Sequence, residues 1–201
     1  MLRYGRRSSV RLRSRLQHQR RIGDRHREQS VTTTITVGSR PFGVAVNPAG
    51  TRVYVTNNGG GSGNTVSVID TARNSVIATV PVGAAPTGVA INPAGTRVYV
   101  GNINSFNVSV IDTTTNTVIA TVPGVANATS VAVNSSGTQV FVTNPSVNNV
   151  SIIDAASNTV SSTVAVADPR SVALNPVDGR AYISNQSSDT ITSERILRES
   201  P

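Results

Sequence analysis

The chain has 201 residues, which is enough for one ordinary domain or one short repeat array. It contains no Cys, Trp or Lys, and its two His residues, His18 and His26, both lie near the N-terminus. The absence of Cys excludes disulfides, thiolate nucleophiles, zinc fingers and iron–sulfur clusters. With seven aromatic residues, the composition also argues against an aromatic cage or a base-stacking platform.

The charge divides at residue 30. Ten of the 18 Arg residues lie between Arg3 and Arg27, where Asp24 and Glu28 are the acids, whereas residues 31–201 are neutral. The net charge of +8 therefore belongs to the N-terminal segment. Because long charge runs usually stay solvated, we expect residues 1–30 to be a disordered or non-native extension. A nucleic-acid or polyanion arm and an organellar targeting peptide are the alternatives.

Apolar runs are short throughout the sequence. No segment reaches the roughly 20 consecutive apolar residues of a membrane helix, and the N-terminus lacks the apolar core of a secretory signal. We therefore predict no transmembrane segment, and the compartment stays open.

Internal repeats follow residue 30. Residues 43–55 read GVAVNPAGTRVYV and residues 88–100 read GVAINPAGTRVYV, with twelve of thirteen positions identical. Weaker copies occupy residues 130–142 and 171–183, and a second block, NTVSVIDT and its variants, recurs between the copies. Four repeats of about 42 residues indicate a fold built from equivalent units.

Within one repeat, the pattern predicts four strands. Apolar residues alternate around Val44 and again around Val55, and the intervening Asn47–Gly50 segment (NPAG) predicts a tight hairpin turn. A third strand follows around Val68 and a fourth ends near Pro81, which favours a sheet edge because proline cannot donate to a ladder. No segment from 31 to 193 shows a helical period.

Four short antiparallel strands per repeat are typical of a β-propeller blade, and such blades must stack to form a core. The segments Tyr54–Asn57 (YVTN), NPAGTRVYV and NTVSVIDT resemble the YVTN-type β-propeller repeat. The resemblance covers residues 31–193 and implies an all-β propeller of about four four-stranded antiparallel blades. Members of that family are usually seven-bladed and are commonly exported or at the cell surface, and related propellers include lactone hydrolases.

The domain boundaries follow from the repeats. We predict an extension over 1–30, propeller repeats over 31–193 and a C-terminal tail over 194–201. The blades are placed near 43–82, 88–123, 130–166 and 171–193, with residues 31–38 as a spare outer strand. Seven blades would need about 300 residues, so we expect an incomplete propeller. The alternative is a four-bladed ring in which Thr32–Val37 pairs with the third strand of the fourth blade.

Three sets of recurring residues could suggest chemistry, but a structural role is the simpler reading for each. The Asp residues are expected to close turns, the aromatic residues to pack between blades, and the Asn residues either to cap their loops or to ring the channel mouth. The sets are Asp70, Asp112 and Asp154; Tyr54, Tyr99, Phe141 and Tyr182; and Asn57, Asn102, Asn144 and Asn185.

Residues that differ between repeats are better candidates for a specific site. The connections entering the first strand of each blade should share one face with the loops after the second strands, and loops on a rigid scaffold concentrate binding residues. On this loop face, the candidate binding residues are Arg40, Phe42, Phe106, Asp168 and Arg170, together with the four recurring Asn residues.

We therefore predict a non-enzymatic interaction or scaffold module that binds a protein or surface ligand on its loop face. It has no catalytic residues, metal or cofactor, and an open propeller would allow self-association. Polyanion or nucleic-acid binding through residues 1–30 is the first alternative. A lactonase-like, metal-dependent hydrolase is the second, and it would need convergent carboxylates.

Overall fold

The computed structural model describes residues 31–195, and these residues form fifteen strands and three short 3₁₀ helices. The predicted extension over 1–30 and most of the predicted tail over 194–201 lie outside the described residues. The strands are β1 (Pro41–Val46), β2 (Arg52–Asn57), β3 (Thr65–Asp70), β4 (Ser75–Pro81), β5 (Pro86–Ile91), β6 (Arg97–Asn102), β7 (Asn107–Asp112), β8 (Thr117–Pro123), β9 (Val131–Val133), β10 (Gln139–Asn144), β11 (Asn149–Asp154), β12 (Thr159–Ala165), β13 (Pro169–Leu174), β14 (Arg180–Asn185) and β15 (Thr190–Arg195).

The strands form four separate antiparallel sheets, each built from consecutive strands. Blade 1 has the order β1-β2-β3-β4, blade 2 the order β5-β6-β7-β8, blade 3 the order β9-β10-β11-β12, and blade 4 the order β13-β14-β15. The predicted all-β, propeller-like fold with about four blades is confirmed. Pro81 and Pro123 end the outermost strands, as expected for residues without an N–H.

The NPAG segment forms the predicted hairpin between β1 and β2. Gly50, at a φ of 68°, donates its N–H to the Asn47 carbonyl at 2.8 Å. The Asn47 side-chain oxygen accepts from the N–H groups of Thr51 and Arg52 at 2.8 and 2.9 Å. The asparagine side chain thus accepts the backbone N–H groups that the turn leaves without a partner. The same arrangement recurs around Asn92 and Asn134.

The recurring Asp residues close the turns between third and fourth strands, as predicted. Asp112 accepts from the N–H groups of Thr114 and Thr115 at 2.9 and 3.0 Å. These backbone hydrogen bonds hold the pKa of the Asp112 carboxyl below its usual range. The pKa values of Asp70 and Asp154 are lowered mainly by the equivalent bonds from Arg73 and Ser157.

The hydrophobic core lies between consecutive blades. In each interface, the face of one blade that carries the recurring aromatic residue packs against the next blade along the chain. We call this the front face of a blade and the opposite side its back face. Tyr54 packs with Val98 and Val100, and the equivalent Tyr99 packs with Val140 and Val142. Phe141 fills the same role between blades 3 and 4, where it packs with Ala181 and Ile183.

Blade 4 has three strands in the described residues, and residues 31–37 contain no strand. The predicted spare outer strand over 31–38 is therefore not formed, and neither is the ring-closing pair of Thr32–Val37 with β15. A single extended segment cannot satisfy its backbone groups in a ladder without a neighbouring strand.

The sequence pattern did not predict the three 3₁₀ helices, Ile103–Ser105, Pro145–Val147 and Gln186–Ser188. Each is one turn long and precedes the third strand of its blade. A single turn leaves no helical period for the sequence pattern to reveal.

Candidate functional site: the loop-face groove

The connections that enter the first strands and the loops that leave the second strands lie on one face and are hydrogen-bonded to each other. In blade 1, the N–H groups of Asn58 and Gly59 donate to the Arg40 and Ser39 carbonyls at 3.2 and 3.0 Å. In blade 2, Ile103 donates to Ala85, and in blade 4 Gln186 donates to Asp168, both at 3.1 Å. In blades 1, 2 and 4, the two kinds of loop that the repeats predict to share a face are therefore hydrogen-bonded to each other.

An open groove of ≈ 360 Å³ runs across the first strands of all four blades near this face. These strands are the edges of their sheets, and they bring together residues that are far apart in sequence. The groove is lined by Phe42, Gly43, Val44, Thr87, Gly88, Val89, Thr129, Ser130, Val131, Arg170 and Ser171. Of the predicted site residues, Phe42 and Arg170 are the two that line it.

Phe42, Thr87, Thr129 and Arg170 occupy the same position of the repeat in the four blades. This position is the second residue of the first strand in blades 1, 2 and 4 and lies two residues before β9 in blade 3. Thr87 is 2 % exposed and donates its hydroxyl to the Ala128 carbonyl at 2.7 Å, so it ties blade 2 to blade 3. Phe42, in contrast, is 67 % exposed. This position is therefore structural in blade 2 but presents a free aromatic ring in blade 1.

Arg170 is oriented by an ion pair within its own connection. Its guanidinium lies 3.1 Å from the Asp168 carboxylate, and its side chain is 48 % exposed. Asp168 also accepts the Ser187 hydroxyl at 2.5 Å. Two partners hold this carboxylate, and the Arg170 side chain remains half-exposed beside it.

The other two non-consensus candidates do not line the groove. Arg40 extends over the glycine-rich loop of blade 1, where a Cβ on Gly60 would meet its guanidinium. Phe106 is 59 % exposed at a φ of 51°, a position taken by Asn148 in blade 3 and Asp189 in blade 4. The loop face thus separates into a groove with Phe42 and Arg170 and a periphery with Arg40 and Phe106.

The four recurring Asn residues are buried and bonded within their own blades. The Asn102 amide donates to Asn107 Oδ1 at 2.8 Å and to Ser109 Oγ at 2.9 Å. Asn57 and Asn185 make the equivalent pairs of bonds in blades 1 and 4. Asn144 contacts Asn149 and Ser151 in blade 3 at 2.7 and 2.8 Å. The partners are side chains of the third strand, so each amide joins the second and third strands of its own blade and the four residues do not converge on one ligand.

The same asparagines explain why particular glycines precede the first strands. A Cβ on Gly83 would lie 2.8 Å from the Asn102 side chain, and one on Gly38 would lie 2.5 Å from Asn57. Contacts below about 3.0 Å do not occur for real Cβ atoms. In blades 1 and 2, the buried amide therefore requires glycine in the connection that crosses it, whereas the connection into blade 4, residues 166–168, has no glycine.

Sequence reasoning missed the groove residues Thr87, Thr129, Ser130 and Ser171. They belong to the repeated framework, so a search for differences between repeats passes over them. Thr87 and Thr129 align with Phe42 and Arg170, and Ser130 and Ser171 align with Gly43 at the next position. This alignment is the signal that could have found them, because equivalent positions of adjacent edge strands face one channel.

Within residues 31–195, no three His, Cys, Asp or Glu residues are grouped so that they could hold a metal ion. Among the same residues there is also no helix whose length and apolar character would let it cross a membrane.

No protein-family model matches the chain, and no significant match is found among curated proteins. Among solved structures, the chain is similar to Kuenenia stuttgartiensis hydrazine synthase, with a TM-score of 0.65 and 19% sequence identity. The match covers 84% of this chain and 53% of that chain, so this chain spans about half the length of the structure it resembles. At this identity, the similarity shows a shared propeller-like fold, and one such architecture serves many unrelated functions.

Proposed function

We propose that this protein is a non-enzymatic interaction module that binds an extended segment of a partner protein in the loop-face groove. The observation that carries the proposal is the pairing, in one groove, of an exposed aromatic ring on blade 1 with a half-exposed guanidinium on blade 4. Aromatic residues and Arg are the types enriched at protein interfaces and at their energetic hot spots.

The chemistry of the groove defines the segment that it would accept. Phe42 offers an apolar surface, and Arg170 offers N–H donors to a carboxylate. The first strands are sheet edges, so their backbone groups can also bond an extended chain. We therefore expect a partner segment that carries one acidic and one apolar side chain.

The other two predicted functions gain no support from the described residues. Polyanion binding through residues 1–30 concerns a segment outside the structure described here, and it stays a prediction. The hydrolase alternative would need a metal held by convergent carboxylates. Residues 31–195 contain no group of three His, Cys, Asp or Glu residues that could hold one.

Panning a random peptide library on the full chain, followed by calorimetry of the selected peptides, tests the groove. We expect acidic–apolar peptides whose affinity falls at least about tenfold, or about 1.4 kcal/mol, in Phe42→Ala and in Arg170→Ala. The matched controls are Phe106→Ala, which removes an exposed ring outside the groove, and Arg73→Ala, which removes a side chain that is 75% exposed in the β3–β4 turn. Selected peptides that lose affinity with the controls but not with the groove variants would contradict the proposal.

A further inference from the structure

The front face of blade 4 exposes side chains whose equivalents are buried in every other blade. Tyr182 is 40 % exposed, whereas Tyr54, Tyr99 and Phe141 at the same position are 0, 1 and 2 % exposed. Ile191 on β15 is 64 % exposed. Its equivalents Val66, Val108 and Val150 are 0, 0 and 2 % exposed. Ser193 stands where the other blades have Val68, Val110 and Ile152. Among the described residues, blade 4 therefore carries two exposed apolar side chains at front-face positions that are buried in the other blades.

The back face of blade 1 shows the complementary exposure. Val44 and Val46 on β1 are 67 and 56 % exposed. Their equivalents in blade 2, Val89 and Ile91, pack against the cluster that contains Tyr54. On the same face, Val55 and Ile69 are 9 and 6 % exposed. The exposed part of the blade 1 back face is therefore its β1 edge, which corresponds to the part of blade 2 that packs next to Tyr54.

The third feature is the segment that precedes blade 1 in the sequence. Thr32–Val37 (TTTITV) aligns with Ile77–Val82 (IATVPV), which covers most of the outer strand β4 and leads directly into blade 2. In the same way, Thr32–Val37 leads into blade 1, yet it forms no strand. The outer edge of β15 is also unpaired among the described residues.

We infer that these three features form one interface between two copies of this chain. Blade 4 of one copy takes the place that a blade preceding blade 1 would occupy in the other copy. Its front face then packs on the other copy's back face, as blades 1, 2 and 3 pack on their successors. Thr32–Val37 of the second copy becomes the fourth strand of blade 4 in the first. The interface within the chain is the template, since it already occurs three times between equivalent residues.

The register of this intermolecular strand follows from blade 1. There Val66 on β3 pairs with Val80 on β4. Ile191 is equivalent to Val66, and Ile35 aligns with Val80. Ile191 of one copy should therefore lie opposite Ile35 of the other copy in an antiparallel pair, which buries both side chains.

Two copies joined head to tail would supply eight blades, and known propellers close with about four to eight. Closure gives a cyclic dimer with two identical interfaces instead of an open polymer. Tyr182, Ile191 and Ile35 lie outside the groove, whereas Val44 of the blade 1 back face also lines it. Molar mass reports the dimer and calorimetry reports peptide binding, so a failure of one proposal is distinguishable from a failure of the other.

Light scattering of the full chain across a concentration series tests the dimer. We expect a molar mass twice the 20.9 kDa of the chain. Ile191→Arg should halve this mass, because it places a charge at the centre of the interface, while circular dichroism retains the β-sheet signal. The control Ile119→Arg introduces the same charge at another exposed isoleucine, 47 % exposed on the outer strand β8, and should stay dimeric. A wild-type mass of 20.9 kDa, or one that rises without limit with concentration, would overturn the closed dimer.

Cysteine cross-linking tests the proposed register. It also distinguishes strand pairing between two copies from ring closure within one chain. The natural sequence contains no Cys, so introduced thiols report on a defined pair. Mixing the Ile35→Cys and Ile191→Cys variants and oxidising them should yield a covalent dimer, whereas neither variant alone nor a mixture of Ile119→Cys with Ile191→Cys should do so. If the double variant Ile35→Cys/Ile191→Cys instead forms its disulfide within a monomer, the chain closes on itself and the proposal is wrong.

Discussion

The interface between blades 2 and 3 and the front face of blade 4 present the same kinds of side chains in different surroundings. Tyr99 and Tyr182 occupy the same strand position, yet Tyr99 is 1 % exposed and Tyr182 is 40 % exposed. The surrounding strands have the same order and the same antiparallel register. The burial of an aromatic residue in this fold is therefore decided by the presence of a neighbouring blade.

Hydrogen bonds within a blade do not show this difference. Asn102 in blade 2 and Asn185 in blade 4 both donate two hydrogen bonds to their own third strand and are 0 and 7 % exposed. The two kinds of stabilisation are thus separable in this chain. Apolar burial at the front faces is shared between blades, whereas the bonds donated by these amides stay within one blade. The threonine hydroxyls behave differently, since Thr56 and Thr87 donate to carbonyls of the next blade.

The largest expected effect comes from truncating the aromatic residue inside an interface. Tyr99→Ala should lower the free energy of unfolding by about 3–5 kcal/mol, because it removes a fully buried ring and leaves a cavity. Tyr182→Ala should cost about 1 kcal/mol or less, since its ring already contacts solvent in a single chain. Urea unfolding monitored by circular dichroism measures both values.

Tyr99→Ala and Tyr182→Ala should be compared in a monomeric protein, because a dimer would bury Tyr182. Both substitutions should be made in the Ile191→Arg variant, which we expect to be monomeric. Equal losses at the two positions in that background would show that a neighbouring blade is not what distinguishes them.

Removing a buried amide should lower the free energy of unfolding by a smaller amount, and the loss should be similar in blade 2 and in blade 4. Asn102→Ala and Asn185→Ala each delete two hydrogen bonds and should each cost about 1–3 kcal/mol, with a difference below about 1 kcal/mol. Asn104→Ala, which removes an exposed donor to the Gly61 carbonyl, is the control and should cost less than about 0.5 kcal/mol. A large loss at Asn102 combined with none at Asn185 would mean that the amides also depend on the next blade.

Most of the fold could be predicted from the repeats. Alternation around Val44 and Val55 gave two strands, the NPAG turn joined them, and Pro81 marked an edge, because these signals act within a few residues. The fate of Thr32–Val37 could not be predicted in the same way. Its sequence is that of an outer strand, but a strand requires a partner, and partners are set by long-range packing.

The candidate site was only partly accessible from the sequence. Phe42 and Arg170 stood out because they differ from the threonines at the same position in blades 2 and 3. Arg40 and Phe106 stood out equally, yet they lie outside the groove. Non-consensus residues mark where repeats differ, but the placement of edge strands around one channel decides which of those residues share a surface.

The smallest expected effect concerns the Asp turns, which occur in blades 1 to 3, whereas blade 4 has Arg195 at this position. The turn hydrogen bonds lower the pKa of Asp70, Asp112 and Asp154 in the folded chain. A lowered folded-state pKa contributes stability that is present above the unfolded-state pKa of about 3.9 and is lost as the pH falls through the folded-state value. The free energy of unfolding should therefore be flat from about pH 7 to 5 and decline below about pH 4. Replacing all three residues with Asn keeps a turn acceptor but removes the titration, so the triple variant should lose less stability between pH 5 and 3 than the wild type. Identical acid slopes for the two proteins would show that these turns are not the source of the pH dependence.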